Sequence, residues 1–180
     1  MAERQIRDED LRAPDLVLLL LAASGKGESG AGRLNGITRL EKLLYLAEQE
    51  TDLSSKVEDR FQFRAYDYGP YSKAVYEAVD LLEEAGLLNE ERAYAGQPLD
   101  EMEEWTAGVE EREGVERRFS LTDKGKVVAD FLGKANPDAS SALREIKLKY
   151  GGMPLRSLIR YVYSTYPASA EASKIRDKIM

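Results

Sequence analysis

The sequence predicts an α+β fold that is mostly helical, and three observations lead to this prediction. Six stretches carry apolar residues at helical spacing, one short stretch alternates apolar and polar residues as a half-buried strand does, and two further strand-like stretches flank an acidic segment. Glycine and proline separate most of these stretches. Hydrophobic residues make up 43% of the 180 residues, which is enough to build a core and excludes wholesale disorder.

Two helices are predicted in the first third of the chain. Residues 10–23 are mostly apolar and suit a largely buried first helix, and the glycine-rich segment 24–32 follows as a linker. In the second helix, 37–50, four apolar residues recur at helical spacing: Leu40, Leu43, Leu44 and Ala47. The charged residues of this helix are expected to face water: Arg39, Glu41, Lys42, Glu48 and Glu50. Residues 31–36 between the two helices are predicted to be irregular.

A strand and a third helix are predicted next. Three apolar residues alternate with polar ones, which is the period of a strand with one buried face: Phe61, Phe63 and Ala65. The segment 67–72 is typical of a turn that opens a helix, with Pro70 at the first helical position, where its missing N–H costs nothing. We expect this helix to run to about Ala85 and to end at Gly86.

A hairpin and three more helices complete the prediction. Residues 87–94 and 115–121 are expected to pair as two strands, and the acidic insert between them is longer than an ordinary hairpin loop. The helices that follow begin at Thr122 as the N-cap, at Asn136–Pro137 and at Pro154. The second of them is expected to stop at Gly151–Gly152 and the third near Pro167. Residues 168–180 have room for a final turn or two.

The predicted order is that of a winged helix-turn-helix domain with a helical C-terminal extension. Residues 79–88 are the most informative stretch, because a wing needs a helix, a glycine stop and an immediate strand after its recognition helix. We therefore expect a winged-helix domain over residues 1–133, with an acidic wing insert at about 95–114. The helical C-terminal extension, 134–180, is expected to pack on it.

The chain contains neither cysteine nor histidine. Disulfides, thiolate zinc sites, cysteine nucleophiles, histidine-based metal sites and Ser–His–Asp sites are therefore excluded. The carboxylates Asp52, Glu58 and Asp59 are close in sequence, but they fall mostly on predicted loops that cannot hold them rigidly. Residues 25–30 match GxGxxG, yet a helix precedes this match where dinucleotide binding requires a strand. We expect no catalytic residues, no metal, no cofactor and no enzymatic activity, and a carboxylate-dependent hydrolase is the enzymatic alternative.

The apolar stretches are short. The longest, Leu16–Ala23, is far below the roughly 20 residues that span a bilayer. The first ten residues are charged and lack the apolar segment of a signal peptide. We expect a cytoplasmic protein with no membrane partner.

Two motifs resemble a known group of proteins. The helix segment 39–47, which contains KLLYLA, and the turn 68–72, YGPYS, together resemble the Panacea domain of SocA-like antitoxins and, equally, the YwgA-type winged-helix proteins. Residues 158–163 with Tyr166–Pro167 resemble the ending of the second group, so the resemblance covers about residues 36–167. It implies a non-enzymatic protein: an antitoxin that binds and neutralises a toxin, or a regulator linked to DNA.

The distribution of charge favours a protein partner over DNA. Residues 71–121 carry 14 acids against 5 bases, whereas residues 122–180 carry 11 bases against 6 acids. In ordinary winged-helix recognition the third helix and the wing approach phosphate, which an acidic surface repels. DNA binding by a transcriptional regulator stays an alternative, and the residues that would contact DNA are Arg39, Lys42, Lys73, Arg117 and Arg118. An acidic surface without any partner is a third interpretation.

The predicted partner-binding surface surrounds the central turn. Arg64 and Tyr66 share the outward face of the strand, and tyrosine and arginine are enriched at the energetic centres of protein interfaces. The predicted residues are Arg64, Tyr66, Tyr68, Gly69, Pro70, Tyr71, Lys73, Tyr76 and Trp105. Gly69 and Pro70 are expected to shape the turn. The alternative for each tyrosine is a purely structural role, in which it braces the strand against the neighbouring helices.

Two further segments are candidates for secondary contacts. Trp105 lies in the acidic insert, where a short amphipathic helix could present it to a partner or fold it back on its own domain. The C-terminal helices carry a predicted positive surface: Arg144, Lys147, Lys149, Arg156 and Arg160. This surface could pair with the acidic region of a second copy in a homodimer, could contact phosphate, or could consist of ordinary solvated charges.

Overall fold

The computed structural model describes residues 11–53, 61–94 and 115–180. Within these ranges the protein is α+β and mostly helical, with seven α-helices and two small antiparallel sheets. The helices are α1 (Ala13–Ala22), α2 (Ile37–Glu50), α3 (Lys73–Glu84), α4 (Asp123–Ala135), α5 (Pro137–Tyr150), α6 (Leu155–Thr165) and α7 (Arg176–Ile179). The strands are β1 (Arg33–Asn35), β2 (Arg64–Tyr66), β3 (Gly69–Tyr71), β4 (Leu88–Tyr94) and β5 (Val115–Leu121).

The larger sheet has β5 in its centre, between β1 and β4. Leu34 of β1 is in register with Phe119 of β5, and Leu88 of β4 is in register with Leu121 of β5. All four of these side chains are buried, so this sheet contributes one face to the core. The predicted hairpin is confirmed in its second strand and begins one residue later than predicted in its first.

Helices α1 and α2 form the centre of the core. Six consecutive residues of α1, Leu16–Leu21, are buried, which is typical of a helix that is surrounded by protein on all sides. It packs against α3, α4 and α5, while α2 packs against α5 and α6. The predicted bounds of α2 are confirmed, and α1 is shorter than predicted at both ends.

The outward face predicted for α2 is wrong at two positions. Glu41 and Lys42 were expected in water, yet both are buried, with Lys42 only 1% exposed. Every residue from Leu40 to Ala47 is buried because α2 is enclosed by other elements rather than lying on the surface.

The chain around the central turn also differs from the prediction. Pro70 lies in β3, which pairs with β2, and α3 begins only at Lys73 with Ser72 as its N-cap. The strand predicted from Phe61 is restricted to Arg64–Tyr66, and the segment expected to be irregular after the linker contains β1. Three-residue strands are too short to show a clear period of two in a sequence.

The other predicted helix ends and caps are confirmed. Gly86 adopts a φ of 69° after α3, and the Leu87 N–H donates to the Leu82 carbonyl, which closes the helix end. The Thr122 side chain accepts a hydrogen bond of 2.9 Å from the Gly125 N–H and caps α4. Helices α5 and α6 end before Gly151 and Pro167 as predicted, and the last residues add a short 3₁₀ turn (Pro167–Ala170) and α7.

Candidate functional site

The hairpin of β2 and β3, together with the start of α3, brings the side chains of four predicted residues together. Arg64 is the cross-strand partner of Tyr71, and Tyr66 is the partner of Gly69. Side chains two apart on one strand share a face, so Arg64, Tyr66 and Tyr71 meet on one side of the hairpin. Tyr76 joins them from the first turns of α3.

Three tyrosine rings lie against one another in a row, and the Arg64 guanidinium lies against two of them. We call this cluster the tyrosine stack: Arg64, Tyr66, Tyr71 and Tyr76. The ring centroids of Tyr66 and Tyr71 are 5.1 Å apart, and those of Tyr71 and Tyr76 are 5.6 Å apart, each pair being tilted by 38°. The Arg64 guanidinium carbon lies 5.5 Å from the Tyr66 centroid and 5.4 Å from the Tyr71 centroid. Such distances are within the range of cation–π attraction.

The tyrosine stack is accessible to a partner at its hairpin end. Tyr66 is 47% exposed, which is unusual for a large aromatic side chain, and Arg64 is also exposed. Tyr71 and Tyr76 are half-buried. The stack thus passes from the surface to the edge of the core, where Tyr76 packs against buried residues.

Three other predicted residues hold the hairpin in place and are not part of its exposed surface. Gly69 and Pro70 are buried, and a Cβ atom on Gly69 would lie 2.6 Å from Cε1 of Tyr163. Tyr68 is half-buried against the core. Lys73 is exposed and pairs with Glu77 at 2.6 Å. Trp105 lies outside the described residues.

A buried polar junction from α2 fixes the start of α3. The Lys42 Nζ donates to the Pro70 carbonyl at 3.0 Å, and the Ser72 N–H donates to Oε1 of Glu41 at 3.1 Å. The Ser72 hydroxyl donates to the Phe61 carbonyl. Burial holds the pKa of Lys42 below its ordinary value, although the nearby charge of Glu41 partly offsets this effect. A signal for this junction was present in the sequence, since Leu46 and Tyr45 make α2 apolar on more than one face.

The outer face of α3 and the neighbouring strand β4 are acidic. Between residues 61 and 94 the chain has seven acids and three bases. Four carboxylates of α3 are exposed: Glu77, Asp80, Glu83 and Glu84. Their side chains therefore reach solvent, and helical spacing places Asp80 and Glu83, four and seven positions after Tyr76, on the same side of α3 as that ring.

Two of the five residues of the DNA-binding alternative are buried, and the other three have partners within the chain. Lys42 is buried, and Arg117 is 6% exposed and bonded through two nitrogens to Glu90 at 2.8 and 2.7 Å. Arg39 donates to the carbonyls of Gly151 and Met153. The two exposed cations each pair with a carboxylate, Lys73 with Glu77 and Arg118 with Glu116. The predicted exposure of Lys42 and Arg117 is thus wrong, because internal acceptors already satisfy both groups.

A second polar cluster surrounds Glu50, which the sequence placed in water. Its carboxylate accepts hydrogen bonds from the hydroxyls of Tyr150 at 2.6 Å and Tyr161 at 2.7 Å, and from Lys149 at 3.3 Å. Burial raises the pKa of Glu50, but these hydrogen bonds outweigh burial and hold the pKa below its ordinary value. The cluster joins α2 to α5 and α6, so its role is to hold these three helices together.

The positive surface predicted for the C-terminal helices lacks one of its members. Lys147 is fully buried, and its Nζ donates to the carbonyls of Leu21, Ala23 and Gly30 at 2.7 to 3.0 Å. Burial lowers its pKa to about 7. Lys147 therefore ties the end of α1 to the glycine-rich linker instead of facing a partner.

The described residues contain neither a metal-binding cluster nor a membrane-spanning helix. Over residues 11–53, 61–94 and 115–180, acidic side chains nowhere gather in a group of three or more that could hold a metal ion. In the same part of the chain, every helix is too short or too polar to cross a bilayer. In comparisons with known proteins, no protein-family model and no curated protein matches this chain. The geometry of the tyrosine stack and its surroundings is therefore the basis for a functional assignment.

Proposed function

We propose that this chain is a winged-helix module that works by binding another protein, as an antitoxin or a defence-linked adaptor does, and that it is not an enzyme. The observation that carries the proposal is the tyrosine stack, in which a half-exposed tyrosine and an exposed arginine extend a row of rings from the core to the surface. Tyrosine and arginine supply large contact area together with directed hydrogen bonds, which is why they dominate the energy of many interfaces.

The order of the elements supports the winged-helix part of the proposal. Along the chain α1, β1, α2, α3, β4 and β5 follow one another, and β5 lies between β1 and β4 in the sheet. In this assignment α3 is the recognition helix, and β4 and β5 are the strands of the wing. The hairpin β2–β3 is an addition before the recognition helix, and it carries the exposed end of the tyrosine stack.

The charge of the recognition helix supports a protein partner in preference to DNA. Phosphate contacts supply most of the affinity of DNA-binding proteins, and α3 offers exposed carboxylates where those contacts would form. Its lysine, Lys73, is paired with Glu77. A protein surface, unlike the DNA backbone, is not uniformly negative, so the acidic face of α3 can be complementary in charge to a protein partner.

Complex formation with the product of a neighbouring gene tests the proposal. The wild-type protein is co-expressed with that product, and the complex is measured by size-exclusion chromatography and calorimetry. The double variant Arg64→Ala/Tyr66→Ala removes two side chains from the exposed end of the stack, where they contact only each other and Tyr71 among its rings. We expect a small decrease in the unfolding midpoint and an affinity lower by about tenfold or more.

The matched control is Phe131→Ala, which removes a 61% exposed aromatic side chain from α4, outside the tyrosine stack. We expect this variant to bind as the wild type does. An equal loss in both variants, or no loss in the double variant, contradicts the assignment of the tyrosine stack as the interface.

A further inference from the structure

The rings of the tyrosine stack already lie against arginine side chains of the chain itself. Arg64 flanks Tyr66 and Tyr71, and the guanidinium carbon of Arg117 lies 6.0 Å from the centroid of Tyr76. The electron-rich face of a tyrosine ring attracts a planar cation, and a guanidinium both stacks on the ring and forms hydrogen bonds at its edges. These internal contacts show which chemistry the ring faces accept.

The exposed carboxylates of α3 continue from the end of the stack. On a helix, residues three or four positions apart are neighbours, so Tyr76 adjoins Lys73 on one side and Asp80 on the other. Glu83 and Glu84 follow one turn beyond Asp80, and all three of these carboxylates are exposed. A partner that covers Tyr66, Tyr71 and Tyr76 therefore meets this row of carboxylates as well.

The sign of this surface selects the kind of partner. The exposed cations of α3 and the wing strands are few, and two of them, Lys73 and Arg118, are held by carboxylates of the same chain. Placing an acidic protein surface here would bring like charges together, which costs affinity and slows association. A basic surface would gain from both the ring faces and the carboxylates.

We propose that the tyrosine stack and the acidic face of α3 bind a cationic, arginine-bearing surface of a partner protein. This inference rests on the proposed function and specifies the chemistry of the partner at the same site. One partner arginine stacks on the exposed face of Tyr66, and further basic side chains pair with Asp80, Glu83 and Glu84. The pair between Lys73 and Glu77 rearranges if the partner also engages Glu77.

Short labelled peptides test the chemistry directly. The full chain is titrated into fluorescein-labelled peptides in which glycine alternates with arginine, lysine or glutamate, and binding is followed by fluorescence anisotropy. We expect the arginine peptide to bind most tightly, the lysine peptide more weakly and the glutamate peptide not at all. Raising NaCl from about 0.05 M to about 0.5 M should weaken the arginine peptide by about tenfold or more.

Two variants separate the ring contribution from the charge contribution. Tyr66→Ala should weaken the arginine peptide by about threefold to tenfold and leave the lysine peptide nearly unchanged, because stacking favours guanidinium. Asp80→Lys/Glu84→Lys should weaken both peptides by about tenfold or more. The control Asp130→Lys/Glu145→Lys makes the same change in net charge at exposed positions on α4 and α5, outside α3 and the hairpin, and should have a much smaller effect. Thermal unfolding confirms that each variant is folded.

Some results would overturn the inference. Equal binding of all three peptides, tighter binding of the glutamate peptide or of duplex DNA, or equal effects of the two charge-reversal pairs would each show that a cationic surface is not the ligand. The complex with the neighbouring gene product distinguishes this failure from a failure of the proposed function. The complex could depend on Arg64 and Tyr66 and yet be insensitive to salt and to the charge reversal at Asp80 and Glu84. That result would support the proposed function and contradict the inference about a cationic partner.

Discussion

At the scale of single residues, Glu50 occupies a position that helix physics disfavours. It is the last residue of α2, where the partial negative charge of the helix end repels a carboxylate. The hydroxyls of Tyr150 and Tyr161 and the ammonium of Lys149 compensate for this repulsion by donating hydrogen bonds to it. Glu50 is therefore held in place by tertiary contacts with α5 and α6, and not by its own helix.

The lowered pKa of Glu50 predicts how stability depends on pH. Because the folded state holds the pKa below the ordinary value of 4.5, the ionised carboxylate stabilises the fold above that pH. This contribution is lost as the pH falls below 4.5 and through the lowered folded pKa. Glu50→Gln should reduce the free energy of unfolding by about 1–2 kcal/mol at pH 7, and the difference from wild type should shrink in acid.

Urea unfolding at a series of pH values measures this effect. Glu145→Gln serves as the control, because Glu145 is exposed on α5 and should change stability little at any pH. A difference between Glu50→Gln and wild type that stays constant from pH 7 down to about 3 would show that the charge of Glu50 is not involved.

At the scale of elements, the hairpin β2–β3 depends on the C-terminal segment that packs behind it. Tyr163 of α6 lies against Gly69, and the Lys174 Nζ pairs with Asp67 at 2.6 Å. The Lys174 N–H also donates to the Asp67 carbonyl at 2.8 Å. The hairpin therefore does not stand alone: contacts from residues about 100 positions later hold the exposed end of the tyrosine stack in place.

Replacing Gly69 tests this dependence. Gly69 has a φ of 93°, and an added Cβ would collide with the Tyr163 ring. Gly69→Ala should therefore cost about 3 kcal/mol, partly from the backbone conformation and partly from overpacking. Thermal and urea unfolding measure the cost.

Gly86→Ala is the matched comparison for Gly69→Ala. Gly86 also has a positive φ, of 69°, but nothing lies within 4 Å of its added Cβ. Its substitution should cost only the backbone part, about 1 kcal/mol. Equal costs at the two positions would mean that the Tyr163 ring moves aside without penalty.

At the scale of the whole molecule, the distribution of charge predicts weak interaction with nucleic acid. The formal net charge is −7, and the acidic excess of α3 faces solvent. We expect no measurable binding of duplex DNA by fluorescence anisotropy, even at about 0.05 M salt. Binding that weakens steeply with salt and with Arg118→Ala would instead favour the transcriptional regulator.

Much of the element order was predictable because local signals mark it. Gly86, Thr122 and Pro137 end or begin helices through backbone geometry and caps that depend only on neighbouring residues. The shared face of Arg64 and Tyr66 followed from strand alternation, and Tyr71 was grouped with them because it flanks the central turn. The second strand and the hairpin register that stack the rings did not follow from the sequence. The strand β1 was missed because its three residues pair with β5, more than 80 positions away.

The sequence by itself determined where the helices and the main hairpin lie and where the acidic and basic residues are concentrated, since caps, glycines and apolar periodicity act over a few residues. The tertiary structure decided which charges reach water. Glu41, Lys42 and Lys147 are buried because distant segments supply their hydrogen-bond partners and exclude solvent. Burial depends on how elements pack together, and no local pattern in the chain encodes that packing.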